Sequence, residues 1–147
     1  MALDTRISIA MAIAMADAGL VLLDEGTVGV VIEGRTTPRP ADPDAAVTGT
    51  LLFQLNSDDA VTFAGAVDGA PGAIATAGVI DDDTVANNTG TLLYVRASSA
   101  NVVDTPLNDH MDGEAGTSGA DFNFNTLAIV AGATVSLTAW TATMPQS

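Results

Sequence analysis

After one helical stretch, short apolar segments alternate with Gly, Pro, Asn and Asp at intervals of about ten residues. This spacing is typical of strands joined by turns, as in a sandwich or a barrel. A second long helical pattern is absent from the sequence, which argues against alternating strand and helix units. We therefore predict a mainly β fold, an antiparallel β-sandwich of the jelly-roll or immunoglobulin-like kind, with one N-terminal α-helix. The predicted strands are 28–33, 50–55, 61–67, 74–80, 91–97, 102–107, 122–126 and 134–143.

The helical stretch covers residues 4–25, where apolar side chains recur at spacings of three and four residues. Asp4 or Thr5 can serve as the N-cap, and Gly26 stands where a C-terminal cap would end the helix. The predicted apolar stripe consists of Ile9, Ile13, Ala16, Leu20 and Leu23.

The same stretch has a second interpretation as a signal peptide, because an apolar run follows Arg6 and an Ala-x-Ala pattern ends at Ala16. Asp4 and Asp17 count against it, since acidic residues are out of place in the leading and apolar parts of a signal peptide. Asp17 also leaves too short an uncharged run for a membrane span, so we predict no membrane partner.

A chain of 147 residues is long enough to bury its own core, and we predict a single domain over 1–147. Residues 35–47, RTTPRPADPDAAV, contain three prolines, which exclude a helix or an inner strand. We predict an extended surface arm there, which serves either as a partner contact or as a plain long loop. The β-sandwich is predicted over 48–147.

The chain carries 18 acidic residues against 4 basic ones, all arginine, so its formal net charge is −14. Nucleic-acid affinity depends on Lys and Arg that neutralise phosphates, so we predict no nucleic-acid partner. Three of the arginines lie in the first 39 residues, where they can bind an acidic surface of a partner protein. The predicted partner-contact residues of this region are Arg6, Arg35, Pro38, Arg39 and Pro40.

Candidate catalytic residues are few. The chain has no cysteine, which excludes a disulfide framework, a thiolate zinc site and a thiol nucleophile. His110 is the only histidine, and the stretch Gly116-Thr117-Ser118-Gly119 lacks the G-x-S-x-G spacing of a nucleophile elbow. An esterase or peptidase built on Ser118 and His110 is therefore the least supported interpretation. We predict a protein without enzymatic activity and without a cofactor.

Two acidic clusters are the candidates for a bound cation. Neither has the ligand spacing of an EF-hand loop. We interpret both as acidic turns and predict no metal site. The clusters comprise Asp81, Asp82 and Asp83 in one turn, and Asp109, His110, Asp112 and Glu114 in the other.

Strict alternation of side chains is clearest in two of the predicted strands. In DFNFNT, Phe122 and Phe124 fall on one face and Asn123 and Asn125 on the other. In TVSLTAWTAT, alternation places Trp140 on the Ser/Thr face. Either a β-bulge turns the indole to the other face, or Trp140 lies in a contact surface. The second alternative adds Trp140 to the predicted partner-contact residues.

The last third of the chain, AGTSGADFNFNTLAIVAGATVSLTAWTATMP over 115–145, resembles small structural proteins of tailed phages and prophages. The resemblance extends to TGTLLFQL at 48–55 and to the opening helix with its ending LLDEG. It covers most of the chain in the same order. The Pro-rich segment 36–43 and the DHMDGE stretch depart from the pattern, so partner contacts made there cannot be carried over.

Such proteins look like capsid decoration or cement proteins. The resemblance implies a structural virion protein on the capsid surface, which binds the major capsid protein, stabilises the shell and forms a homo-oligomer, with a trimer favoured. The first alternative is a head–tail, tail or baseplate accessory subunit. The second is an acidic module that binds carbohydrate or a cell surface, although one Trp, one Tyr and four Phe offer little aromatic platform.

Overall fold

A computed structural model describes residues 7–23, 30–56, 63–69, 72–78, 80, 82–83, 85–99 and 109–145. Within these ranges the chain forms one helix, α1 (Ile9–Leu23), and ten strands. The prediction of a mainly β chain with one N-terminal helix is confirmed. The strands are β1 (Val31–Arg35), β2 (Leu51–Asn56), β3 (Val67–Asp68), β4 (Gly72–Thr76), β5 (Gly90–Thr91), β6 (Tyr94–Ser98), β7 (His110–Gly116), β8 (Phe122–Phe124), β9 (Ala128–Ile129) and β10 (Leu137–Pro145).

Eight of the described strands form one mixed sheet in the order β2-β1-β6-β7-β8-β10-β4-β3, while β5 pairs with β9. The described pairs are antiparallel, as predicted, with the exception of β7 and β8. These two run parallel, with Ala115 opposite Phe122 and Gly116 opposite Asn123. The finer assignment to a jelly-roll or immunoglobulin-like layout stays a prediction.

Side chains of the turn itself fix the connection between β7 and β8. Asp121 Oδ2 accepts a hydrogen bond from the Glu114 amide at 3.1 Å. The Asn123 side chain bonds both backbone groups of Ala120, at 3.1 and 2.9 Å. Gly119 takes a positive φ of 71°, which glycine adopts without strain. Residues 117–121 therefore form a turn between the two strands.

The sheet curls until distant strands share one core. Phe53 on β2 and Phe124 on β8 are four strands apart in the sheet, a separation of about 19 Å if the sheet were flat. Their ring centroids are only 5.2 Å apart. The main core therefore lies between two facing layers of the same sheet, as expected of a sandwich, and draws side chains from β1, β2, β4, β6, β8 and β10.

Residues that precede β5 cover the outer edge of β2. The Asp83 carboxylate accepts from the Gln54 amide at 3.2 Å, and the Asn87 amide donates to Leu52 O at 2.8 Å. The Asp83 amide in turn donates to Val135 O at 3.1 Å, just before β10. This edge of the sheet is thus covered by the Asp83 carboxylate and the Asn87 amide, which removes an open template for strand addition.

The helix α1 lies on β4 and β10. It begins after Ser8, whose Oγ accepts from the Met11 amide at 3.3 Å, so Ser8 is the N-cap. The predicted caps Asp4 and Thr5 lie outside the described residues. Within the described ranges, no helix combines the length and the apolar content needed to cross a bilayer. The side chains that α1 buries are Ala12, Ala16, Leu20 and Leu23, while Ile9 and Ile13 of the predicted stripe are half-buried.

Strand β7 contains HMDGE, all but the first residue of the DHMDGE stretch that was predicted to be an acidic turn, so that prediction is wrong. Asp, Gly and Glu are poor strand formers, and propensity alone favours a turn. Pairing along the whole of β6, from Ser98 opposite His110 to Tyr94 opposite Glu114, overrides this preference. The predicted strand at 102–107 lies outside the described residues.

Strand β10 contains a β-bulge, which is the first of the two predicted explanations for the position of Trp140. The register of β10 against β8 shifts between Leu137 and Ala139, so both Thr138 and Ala139 are exposed. Beyond the shift Trp140 and Ala142 point inward, and Trp140 is only 1% exposed. Its ring stacks on Phe122 with centroids 4.9 Å apart. Trp140 is a core residue in this fold, which leaves its indole no surface to offer a partner.

Candidate functional site

The face of β1, β6 and β7 that points away from the main core carries charged side chains, several of which are buried. Even-numbered residues of β6 project onto this face, because side chains alternate along a strand. Arg96 stands opposite Glu33 on one side and Asp112 on the other. Tyr94 stands opposite Arg35 in the next row. We call these five residues the charged ladder: Glu33, Arg35, Tyr94, Arg96 and Asp112.

Arg96 and Asp112 form a two-pronged ion pair at the centre of the charged ladder. Arg96 Nε donates to Asp112 Oδ1 at 2.7 Å, and Nη2 donates to Oδ2 at 2.8 Å. The side chains are 1% and 5% exposed. The hydrogen bond to Asp112 raises the pKa of the Arg96 guanidinium, against the opposing effect of burial, so Arg96 is charged in the fold. Removal of either partner would leave an isolated buried charge.

The remaining donors of Arg96 hold the proline-rich loop, which we define as residues 36–50 between β1 and β2. Arg96 Nη2 donates to Pro43 O at 2.9 Å, and Nη1 donates to Ala45 O at 3.2 Å. His110 Nε2 lies 2.6 Å from Pro43 O, a contact in which the Nε2–H tautomer donates. The middle of the proline-rich loop is therefore anchored to β6 and β7.

The two ends of the proline-rich loop are also tied together. The Thr36 amide donates to Thr50 O at 3.3 Å, and Thr37 Oγ1 donates to Thr48 O at 2.8 Å. Between them Asp42 Oδ1 accepts from the Asp44 amide at 3.0 Å and tightens a turn. The predicted extended arm thus folds back over the sheet, because the arginine and threonine side chains give its backbone groups partners there.

The anchored loop displays two of the predicted partner-contact residues. Pro38 and Arg39 are exposed, while Pro40 is half-buried. Among the described residues, the structure gives Arg39 no ion pair with a carboxylate. Arg6, another predicted contact, lies outside the described residues. A cleft of about 400 Å³ lies beside the exposed guanidinium and is lined by Arg39, Pro40, Ala41, Pro43 and Asp112.

Arg35, a predicted partner-contact residue, is mostly buried and paired within the chain. Its side chain is 13% exposed, and Nη2 lies 2.5 Å from Glu33 Oε2. Nη1 donates to Gly49 O at 3.4 Å, next to the end of the proline-rich loop. Arg35 therefore neutralises Glu33 and supports the loop, so little of its charge is left for a partner.

Tyr94 gives the charged ladder a measurable pH dependence. Burial, reinforced by the negative charge of Asp112, raises its pKa from 10.0 to about 12. The folded state therefore favours the protonated phenol: its contribution to stability is complete below pH 10 and is lost as the pH rises towards 12. We expect the unfolding free energy to fall over this range, and the Tyr94 absorbance titration to have its midpoint near the raised pKa.

The composition assigns this titration to a single side chain, since the chain has no lysine, no cysteine and one tyrosine. Denaturant unfolding between pH 9 and 12 measures the fall in the free energy of unfolding, and Tyr94→Phe is the matched control. If the variant loses stability with the same pH profile as the unaltered chain, Tyr94 is not the group responsible.

The candidate metal ligands do not converge. Asp82 and Asp109 are exposed, Asp83 accepts backbone amides, and Asp112 is paired with Arg96. Asp81 lies outside the described residues. No group of three or more His, Asp or Glu within the described ranges is arranged to hold a metal ion.

The candidate hydrolase residues are far apart. His110 begins β7, and Ser118 lies in the turn just beyond its other end. Seven residues of extended strand separate the two positions by about 20 Å, far more than the reach of a hydrogen bond. A serine nucleophile activated by His110 is therefore not formed in this fold.

Sequence reasoning missed Arg96 and the role of Asp112. Two signals were present. In YVRAS an arginine interrupts a β-branched and apolar run, which is costly unless a partner neutralises it. In HMDGEAG the polar residues His110, Asp112 and Glu114 alternate with small or apolar ones, as in a strand with one polar face. Together they indicate two neighbouring strands whose opposite charges meet.

The charged ladder is suited to holding a loop in place. Its charges neutralise one another in pairs, and Arg96 also donates to two backbone carbonyls of the proline-rich loop. It therefore holds the middle of the proline-rich loop against β6 and β7. In comparisons with known proteins, this chain matches no protein family, no curated protein and no solved structure.

Proposed function

We propose that the chain is a structural virion protein of a tailed phage, which binds the major capsid protein at the capsid surface and stabilises the shell as a decoration or cement protein. The observation that carries this proposal is the proline-rich loop, held against the sheet by Arg96 with Pro38 and Arg39 facing solvent. The resemblance of the last third of the chain to phage structural proteins supports the same assignment.

The physical basis is preorganisation. A loop that is already ordered loses little conformational entropy when it binds, so a small contact yields useful affinity. Arg39 adds charge complementarity: it is a cation on a chain of net charge −14, and it can pair with carboxylates of the shell protein. A shell offers many equivalent sites, so contacts that are individually modest have a large summed effect on the particle.

The alternatives differ in how much support they receive. A head–tail, tail or baseplate subunit would use the same loop and differs only in its place in the virion. A carbohydrate module receives less support, because Trp140, Tyr94 and three of the four Phe are buried, and the half-buried Phe63 packs edge-on against Trp140. That arrangement leaves little aromatic surface for a sugar to stack on.

Heat resistance of stripped capsids tests the proposal. Adding the free protein at saturation is expected to raise the temperature at which stripped particles open, and an unchanged opening temperature would refute shell stabilisation. Copy number then separates the positions in the virion. A shell protein is expected at roughly hundreds of copies per particle, and a neck or tail subunit at about six or twelve.

The role of Arg39 is tested by Arg39→Gln, which removes its positive charge. We expect binding to stripped capsids to weaken about tenfold, mainly through slower association, because the charge steers the encounter. Val130→Glu is the matched control, since it makes the same change in net charge at an exposed residue beyond β9. Affinities measured by co-sedimentation should fall for Arg39→Gln alone; an equal fall in both variants would assign the effect to net charge.

A further inference from the structure

The large sheet has a gap beside the second half of α1. Strand β8 is short, and its first residue, Phe122, stands opposite Ala115 of β7 and Trp140 of β10. The earlier residues of β7 and the later residues of β10 extend past this point, and no strand of the described chain lies between them. Strands two places apart in a sheet are separated by about 10 Å. The gap is therefore about as wide as one strand.

A cavity of about 250 Å³ lies between this gap and α1. Leu20 and Leu23 of α1 form one wall of the cavity. Met111 of β7 and Ala142 and Met144 of β10 form the opposite wall. The walls are almost entirely apolar, because the cavity continues the hydrophobic core to which most of these side chains belong.

Volume and polarity together indicate what the cavity can hold. An apolar cavity of about 150 Å³ binds benzene, so one of about 250 Å³ has room for roughly ten carbon atoms. An extended peptide would bring N–H and C=O groups that need partners, and the apolar walls offer few. A hydrocarbon chain needs no such partner, and each methylene that it removes from water favours binding. An alkyl chain is therefore the occupant that fits.

A glycine keeps the entrance of the cavity open. Gly19, Leu22 and Asp109 line the cavity and are exposed, so they mark where it meets solvent. Inside a helix, glycine is less favourable than alanine. A Cβ built on Gly19 would meet no atom of the neighbouring elements within 4 Å. A larger side chain at this position would therefore enter free space at the entrance without a clash.

The charge at the entrance selects the head group of the ligand. Asp109 is the one acidic side chain among the described residues that line the cavity, and within the described ranges its carboxylate has no ion pair. The ring of the neighbouring His110 contacts Pro43 O in the proline-rich loop. The net charge of −14 attracts a cation to this entrance and repels an anion.

We infer that this cavity binds the alkyl chain of a cationic amphiphile, with about ten carbons of the chain inside and the ammonium head at Asp109. A ligand site of this kind goes beyond the proposed role in the virion. It requires no capsid and is tested on the free protein, so its failure is distinguishable from failure of the proposed function.

Calorimetric titration with n-alkyltrimethylammonium salts of roughly six to fourteen carbons, below their micelle-forming concentrations, tests the cavity. We expect one molecule to bind per chain. The affinity should rise about fourfold with each added methylene up to about ten carbons, and then level off because the cavity is full. Absence of binding for every chain length would overturn the inference, and so would an affinity that keeps rising to the longest chain.

Gly19→Leu tests the location of the site. Leucine adds four carbons at the entrance, so the affinity should level off at about six carbons, and the ten-carbon chain should bind at least about tenfold more weakly. Leucine is a better helix former than glycine, so α1 should form normally. Ala18→Leu is the matched control, since Ala18 is exposed and does not line the cavity. If affinity levels off at the same length in all three proteins, binding occurs elsewhere and the inference is wrong.

Ten-carbon chains with different heads test the role of Asp109. The affinity should fall in the order trimethylammonium, maltoside, sulfate. Asp109→Asn should weaken binding of the trimethylammonium compound about two- to fivefold, the range expected of an exposed ion pair, and leave that of the maltoside unchanged. Equal affinities for the three heads would overturn the assignment of a cationic ligand, as would an Asp109→Asn variant that binds the cation as well as the unaltered chain does.

Discussion

Arg96→Met is expected to destabilise the fold by about 3–5 kcal/mol, the range found when one partner of a buried ion pair is removed. Methionine fills much of the volume of the arginine stem but carries no charge and no donor. Asp112, only 5% exposed, would then be left as a buried carboxylate without its cation. Ala45 O would lose its Arg96 donor, and Pro43 O would keep only its contact with His110 Nε2. Denaturant unfolding, monitored by Trp140 fluorescence, measures the loss.

Two further variants separate the possible causes. Arg39→Met removes an exposed arginine from the same side of the molecule and should change stability by no more than about 0.5 kcal/mol. Adding Asp112→Asn to Arg96→Met removes the isolated charge and should restore part of the loss, since these two residues interact directly. A loss below about 1 kcal/mol for Arg96→Met alone would mean that solvent reaches Asp112 and that the pair is not buried.

Hydrogen exchange connects this stability change to the loop. In Arg96→Met the amides of residues 36–50 should exchange faster, while those of β8 should keep their relative protection. If the loop amides are unaffected, the Arg96 donors do not hold it, and the proposal that this loop is a preorganised contact loses its basis.

The β character of the chain was predictable because turn residues and alternation act locally. The pattern in DFNFNT placed Phe122 and Phe124 inward, and both are buried. The helical stripe was predictable for the same reason: Ala16, Leu20 and Leu23 follow the period of a helix and are buried. Each of these features depends on residues a few positions apart.

The Arg96 contacts of the charged ladder were not predicted, because they join residues that are distant in sequence. Arg96 and Asp112 are 16 residues apart, and Arg96 and Pro43 are 53 apart. Asp112 was predicted to lie in a turn, because the sequence does not show that its strand pairs with β6. Arg35 counted as a surface cation because the predicted strand ended at Glu33, whereas β1 continues to Arg35 and places both side chains on the same sheet face. Alternation indicated the faces, but the neighbouring strand could not be identified from the sequence.

Trp140→Ala is expected to cost about 3–5 kcal/mol, because it removes the largest buried side chain and leaves a cavity. The indole stacks on Phe122 and meets Phe63 edge-on, with ring centroids 4.9 and 4.8 Å away. Alanine would abolish both contacts at the point where β10 changes register. Urea unfolding followed by circular dichroism measures the loss, since the variant has no tryptophan to report it.

Trp140→Phe supplies the matched variant, since it keeps an aromatic ring and should cost clearly less than Trp140→Ala. The pair of variants also decides between the two interpretations of Trp140 that strict alternation allows. A residue in a contact surface would, when replaced, weaken binding to capsids and leave the stability of the free chain within about 0.5 kcal/mol. The bulge between Leu137 and Ala139 predicts the reverse order of effects. Stability of the free chain should fall first, and binding should fall only in proportion to the fraction that unfolds.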